Sequence, residues 1–163
     1  LKHNLPAPVV RNAVRGDGER IAAMVALLTA ADALKDPATF TAADFRRDGF
    51  GPKARFRCVV AELDAAVVGY VSWYPAYDMT SGTHGLHLLD LFVEQAARGR
   101  GCGTALIRAV ARRAADDGGR WVCLHVRPAN TRAFALYRRL GATDLGLRFL
   151  AFDEHVFAGL AAG

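Results

Sequence analysis

The chain reads Arg98-Gly-Arg-Gly-Cys-Gly-Thr104 between an apolar run that ends at Val93 and a helical stretch that begins near Gly103. Glycines let consecutive backbone N–H groups point into one cavity and let a bulky anion come close. A helix N-terminus behind them adds partial positive charge, and Arg98 and Arg100 add full charges. The combination suits a pyrophosphate. A P-loop would need a lysine followed by Ser or Thr after its last glycine, and none stands here. A dinucleotide fingerprint would need a third glycine where Leu106 stands, and a second mononucleotide half that the roughly 60 remaining residues leave little room for. A tight turn without a ligand is the bland alternative.

Asn130 and Tyr137 lie seven residues apart in a helical stretch. Two turns bring them back to nearly one face, with the small Ala133 between them. A phenol there can donate a proton, or its ring can simply fill core. Upstream, strand alternation puts His87 on the same face as Leu89 and Asp90 on the opposite one. His87 titrates near neutral pH and is a candidate base, unless a backbone partner satisfies it. Asp90 reads either as an acceptor for a substrate or loop hydrogen bond or as a buried structural carboxylate. His84 falls in a polar loop and reads as solvated. Cys123 and His125 alternate on one strand face, but without a third ligand no metal site is expected.

These residues need a scaffold, and the periodicity supplies one. Val9 to Val14 reads as a first strand. Asp17 can cap a helix from about Glu19 to Leu34, with Ile21, Met24, Val25 and Leu28 on its apolar stripe. Thr41-Ala-Ala-Asp44 is a capping box for a short helix stopping near Gly49. Phe56 to Leu63 and Val67 to Tyr74 form a hairpin about Asp64-Ala-Ala, and Pro75 to Gly85 reads as a loop. His87 to Val93 is a strand. A helix follows from Gly103 to Asp116 on Leu106, Ile107 and Val110, then a strand from Trp121 to Val126. A helix from Asn130 to Leu140 closes at Gly141. Leu147 to Phe152 reads as a last strand, with a short helix after Asp153. The expectation is one α/β domain over residues 1–163, its core about 9–152, with a mixed sheet flanked by helices.

Composition narrows the function. Of 163 residues, 52% are apolar and 23% charged, which suits a folded domain rather than a disordered one. No apolar run reaches the roughly 18 residues of a membrane span. The opening stretch, with Lys2, Pro6 and Pro8, has no apolar signal-peptide core. Cys58, Cys102 and Cys123 are odd in number and widely spaced, so reduced thiols and a cytoplasmic location are expected. The formal charge of +5 fits a phosphorylated cofactor as well as a nucleic acid. No interleaving of aromatic and basic residues favours the latter.

Arg98-x-x-Gly101-x-Gly103, preceded by Leu91-Phe-Val93, resembles the cofactor signature of the GNAT superfamily of N-acetyltransferases. Asn130-x-x-Ala133-x-x-x-Tyr137-x-x-x-Gly141 resembles its second motif, in the right order and with a strand between. Val68-Gly-Tyr70, Tyr74-Pro-Ala-Tyr77, Leu86 to Val93 and Tyr137 to Asp144 are similar to the diamine (spermidine/spermine) acetyltransferase branch. The resemblance implies a GNAT fold, acetyl-CoA as co-substrate, no metal, a small-molecule primary amine as acceptor (a polyamine or thialysine-like amine among them) and a homodimer. It places the pantetheine arm along Leu91, Phe92 and Val93, with the Val93 N–H polarising the thioester carbonyl. It places the pyrophosphate on Arg98, Gly99, Arg100, Gly101, Cys102, Gly103 and Thr104. Asn130 and Ala133 would meet the arm, and Tyr137 would protonate the departing thiolate. The branch carries a glutamate where Leu89 stands, so the group that deprotonates the amine is open between His87 and Asp90. The alternatives are a protein or peptide N-acetyltransferase and an acetyl-CoA-binding module without catalysis.

Overall fold

The computed structural model describes residues 6–32 and 36–163. Five strands form one sheet in the order β1-β2-β3-β4-β5: β1 (Val9–Asn12), β2 (Arg57–Leu63), β3 (Ala66–Asp78), β4 (Thr83–Val93) and β5 (Val122–Leu124). The first four pair antiparallel, and β5 joins β4 in parallel. Helices α1 (Gly18–Ala31) and α2 (Ala42–Asp48) precede β2. Helix α3 (Cys102–Asp116) links β4 to β5, and α4 (Thr131–Arg139) and α5 (Glu154–Ala161) follow. This is the mixed α/β architecture that the patterning predicts.

Alternating side chains divide between two apolar layers. Val59, Val71, Trp73, Leu86 and Leu88 point to the α3 side, where they meet the buried Leu106 and Val110. Val60, Tyr70 and Phe92 point to the other side, against Ile21 and Met24 of α1 and Phe45 of α2. The predicted α1 stripe, and Leu106 and Val110 of the α3 stripe, therefore lie on the sheet, while Ile107 is only half-buried and outside that layer. Thr41 caps α2 as expected: its Oγ accepts from the Asp44 N–H at 3.2 Å, and the Asp44 carboxylate accepts from the Thr41 N–H at 2.9 Å. Asp17 precedes α1 but does not cap it with its side chain. Its carboxylate accepts from both terminal nitrogens of Arg11, at 2.8 and 3.0 Å, and from the Val14 N–H at 2.7 Å.

Several boundaries differ from the sequence-based expectation. The Pro75–Gly85 segment is largely strand, because β3 runs on to Asp78 and β4 starts at Thr83, leaving only a tight turn between them. Strand pairing carries Pro75 along opposite Leu86, a position its own propensity argues against. Leu147 to Phe152 is not a strand. A strand needs a partner for its backbone, and this segment pairs with none of the five; Leu147, Leu150 and Phe152 are exposed. Helix α1 ends at Ala31, and the predicted terminus at Leu34 lies outside the described residues. No helix among the described residues is long and apolar enough to cross a membrane.

One irregularity bears directly on the site. In the β3–β4 ladder Ser72 pairs with Asp90 and Trp73 with Leu88, so Leu89 is an extra residue with no opposite number. Such a bulge breaks the alternation of faces. Leu88 and Leu91 both reach the α3 layer, and Leu89 and Asp90 together open on the α1–α2 side. The expectation that Asp90 faces away from Leu89 is corrected accordingly.

Candidate active site

Strand β5 pairs with β4 only along Leu86 to Leu88. Beyond that point β4 continues to Val93 paired with β3 only, and its free edge forms one wall of a cleft of about 660 Å³. Leu91, Phe92 and Val93 line this wall. The Glu94 N–H donates back to the Val68 carbonyl of β3 at 2.9 Å. Since N–H directions alternate along a strand, the N–H and C=O of Val93 turn the other way, into the cleft. There the Val93 carbonyl accepts from Arg98 Nε at 2.9 Å, which ties the glycine turn to the strand end.

The floor of the cleft is the turn itself. Arg98, Gly99, Gly101, Cys102, Gly103 and Thr104 all line it. Gly101 adopts φ +85° immediately before the first residue of α3, a conformation that L side chains rarely take. A Cβ at Gly99 or Gly101 would meet nothing within 4 Å, so the backbone is open to a ligand there. The Cys102 side chain is core; its thiol contacts the Ala97 carbonyl at 3.8 Å, and its contribution to the cleft is backbone. An open N-terminal turn of a 15-residue helix beside an arginine is a donor set that fits a pyrophosphate.

The opposite wall is the start of α4. Asn130 caps this helix, its Oδ1 accepting from the Ala133 N–H at 3.1 Å, while its Nδ2 faces Asp32 Oδ1 at 3.4 Å. Ala133 leaves the wall shallow beside it. Arg139, one of the basic pair Arg138–Arg139 in the sequence, adds a cation to the cleft, as do Arg127 and Arg132, which the sequence does not single out because a loop and a helix bring them together only after folding. Arg100 does not line the cleft. Its guanidinium lies toward Asp64 in the β2–β3 turn, at 3.9 Å, and its buried Nε has no hydrogen-bond partner among the described residues. Tyr137 lies on the inner side of α4, nearly buried, and does not line the cleft wall either. Burial, then the nearby charge of Asp90, pushes its hydroxyl up to about 12.

On the far side of β4 a second cavity of about 200 Å³ opens between the sheet and α1–α2. Leu89, Asp90, Ser72, Tyr70 and Cys58 form its sheet side. Burial raises the Asp90 carboxyl above its ordinary range; the nearby His125 opposes this and Asp32 adds to it. Asp90 therefore lines the cavity behind β4, on the strand whose free edge borders the cleft. Tyr70 and Ser72 are two apart in β3 and share a face by simple alternation, but the sequence does not say that the face borders a cavity.

His87, Cys123 and His125 come together at the start of the split between the strands. Cys123 Sγ lies 3.4 Å from His87 Nδ1, and His87 Nε2 lies 3.2 Å from His125 Nδ1. A thiol donating to Nδ1 leaves the Nε2–H to donate to His125, so both nitrogens of His87 are engaged. Its ring stacks on Tyr74 at 5.0 Å. Burial, then His125, lowers its pKa and keeps it neutral. The two neighbours sit at opposite ring nitrogens and cannot share one ion with it, and no group of three potential ligands among the described residues could hold a metal. His84 is not simply solvated: its Nε2 meets the Asp117 carbonyl at 2.9 Å.

Comparison with known proteins agrees with this geometry. The chain is 34% identical over 145 residues to thialysine N-epsilon-acetyltransferase of Bos taurus, covering 84% of this chain and 85% of the relative. It is 31% identical over 145 residues to spermidine/spermine N(1)-acetyltransferase-like protein 1 of Homo sapiens, covering 83% of this chain but 20% of that longer protein. An integron cassette protein from the mobile metagenome of V. cholerae has the same fold, with a TM-score of 0.80 at 16% identity over 97% of this chain and 99% of its own. Residues 21–142 match the model of the acetyltransferase (GNAT) family. With its split strands, glycine turn and capped α4, the chain belongs to the GNAT family of acetyltransferases, and by similarity lies nearest the diamine branch.

Proposed function

We propose that this enzyme transfers the acetyl group of acetyl-CoA to the primary amine of a small molecule, with Asp90 and Tyr137 handling the two protons. One observation carries the assignment: the Asp90 carboxylate opens onto a cavity behind β4, the same strand whose free edge walls the glycine-turn cleft.

In this reading the N–H groups of the Gly99–Thr104 turn and the rim arginines hold the pyrophosphate. The edge of β4 pairs with the pantetheine arm, and Asn130 and Ala133 face it. The Val93 N–H, turned into the cleft, lies where it can polarise the thioester carbonyl. Bound acetyl-CoA supplies an activated acyl group and a thiolate leaving group. An amine must be neutral to attack, yet its ordinary pKa is about 10.4. Asp90 Oδ accepts the proton that leaves the amine nitrogen. Its raised pKa makes it a better base than an ordinary carboxylate. Asp90 takes this role rather than His87, because both nitrogens of His87 are already engaged. Tyr137 Oη, held protonated at neutral pH, donates to the departing sulfur.

The reading includes a single domain, a cytoplasmic location and a homodimer. Free thiols at Cys58, Cys102 and Cys123 support the compartment. Exposed Leu147, Phe149, Leu150, Phe152 and Phe157 support a surface that a second copy covers; light scattering of the purified chain decides the dimer. Coenzyme A release from acetyl-CoA against a panel of small amines and peptides tests the function. Turnover on small amines is expected. Turnover on peptides alone would reassign the acceptor, and binding of acetyl-CoA without any turnover would reduce the chain to a binding module.

A further inference from the structure

The cavity behind β4 has a one-sided chemistry. Its 200 Å³ far exceeds the 10–15 Å³ that a single water requires. Polar groups are confined to the sheet side, where Asp90 is the sole carboxylate lining it among the described residues. Tyr70 is 1% exposed, and its hydroxyl has no hydrogen-bond partner among the described residues. A buried hydroxyl of this kind can accept from or donate to a polar group that enters the cavity. The walls opposite are Phe40, Phe45, Phe56, Ile21 and Val25.

A charged nitrogen placed at Asp90 and Tyr70 is paired and hydrogen-bonded. Everything further along the same molecule enters an apolar chamber. A second ammonium there would lose its hydration with no carboxylate to replace it. Cation–π attraction offers partial relief, but Phe40 already meets Phe56 edge to face at 6.1 Å, and Phe45 meets Phe50 at 5.2 Å. Asp32 does not serve the chamber. It lines the other cleft and is engaged by Arg127 at 3.6 Å and Asn130 at 3.4 Å.

From this asymmetry we infer that the acceptor is a primary monoamine with an apolar, preferably aromatic, body, and that diamines and polyamines are poor substrates. The inference rests on the reading of this chain as an acetyl-CoA-dependent amine acetyltransferase. The reacting nitrogen lies at Asp90, beside the bulge, and the body fills the space among the phenylalanines. Leu89, beside Asp90 in the cavity lining, presents an apolar side chain and offers a second ammonium no carboxylate.

The test compares amines on the 163-residue chain: 2-phenylethylamine and hexylamine against 1,6-diaminohexane, thialysine and spermidine. Coenzyme A release gives kcat/KM, and calorimetry on the coenzyme A-saturated protein gives amine affinity. The monoamines are expected to exceed the diamines at least tenfold in both. Phe40→Asp, at a half-buried wall position, should move the ratio toward 1,6-diaminohexane by at least tenfold; Val25→Glu serves if that variant does not fold. Equal or better turnover of the diamine, thialysine or spermidine overturns the inference and leaves acetyl transfer standing. If no amine is acetylated, calorimetry still decides the cavity: monoamine-selective binding supports it while the transfer reading falls, and binding of neither class overturns both.

Discussion

Leu89 and Asp90 are consecutive in β4 and yet open onto the same cavity, because the bulge opposite Ser72 and Trp73 cancels the alternation between them. A regular strand would have turned Asp90 into the α3 layer, among Leu88 and Leu106. The bulge instead aims its carboxylate into the cavity behind β4 and leaves Leu89 as apolar wall. Asp90→Asn should therefore lower kcat/KM by about 10²-fold. The pKa of Asp90 is raised, so its basic form appears only as pH rises through a value above the ordinary 3.8. The acidic limb of the pH profile should lie correspondingly high and be lost in the asparagine variant. An unchanged rate would return the base to His87.

Tyr137→Phe keeps the ring in the core and removes the proton. Turnover should fall by about 10²-fold, with acetyl-CoA affinity within about twofold of the parent, because the glycine turn and the free edge of β4 that form the cleft are untouched. Burial holds the hydroxyl near 12, so the residue remains a proton donor across the neutral range. A basic limb near pH 9 that disappears in the phenylalanine variant would contradict that burial.

Gly101→Val puts a branched side chain at φ +85° and over the open turn. The affinity for acetyl-CoA, read by calorimetry, should fall at least tenfold. Gly51→Val is the control: its φ is +84° and a Cβ there meets nothing within 4 Å, but it does not line the cleft. Equal losses in both variants would trace the effect to backbone strain rather than to the pyrophosphate site.

Arg11→Ala leaves the buried Asp17 without its main partner and should destabilise the fold by about 3 kcal/mol. The Asp17 pKa is lowered, first by the Arg11 hydrogen bonds and against burial, with the Val14 N–H helping. Its contribution is therefore complete above the ordinary 3.8 and is lost as pH falls through the lower folded value. Urea unfolding of the parent should weaken over that acid range, and the slope should flatten in Asp17→Asn. A pH-independent difference between the two would show that Asp17 acts by shape alone.

What was legible in the sequence was local. The Thr41–Asp44 box, the apolar stripes of α1 and α3, and the Asn130 cap of α4 each depend on residues within a few turns of one another. The glycine turn was legible for the same reason, since a positive φ at the start of a helix leaves a glycine there. Leu147 to Phe152 misled because its β-propensity is real, but a strand exists only where another offers hydrogen bonds. Pro75 misled in the opposite direction, since the ladder to Leu86 and Gly85 overrides its own preference.

The sequence by itself therefore determined the glycine turn, the Thr41 and Asn130 caps and the two motifs that resemble the GNAT family. Tertiary structure decided where Asp90 points, that Cys123 and His125 occupy both nitrogens of His87, and that Tyr70 closes the sheet side of an aromatic chamber. Caps and turns are specified by neighbours along the chain, whereas a bulge, a histidine's partners and a cavity are set by which strand lies opposite and in what register.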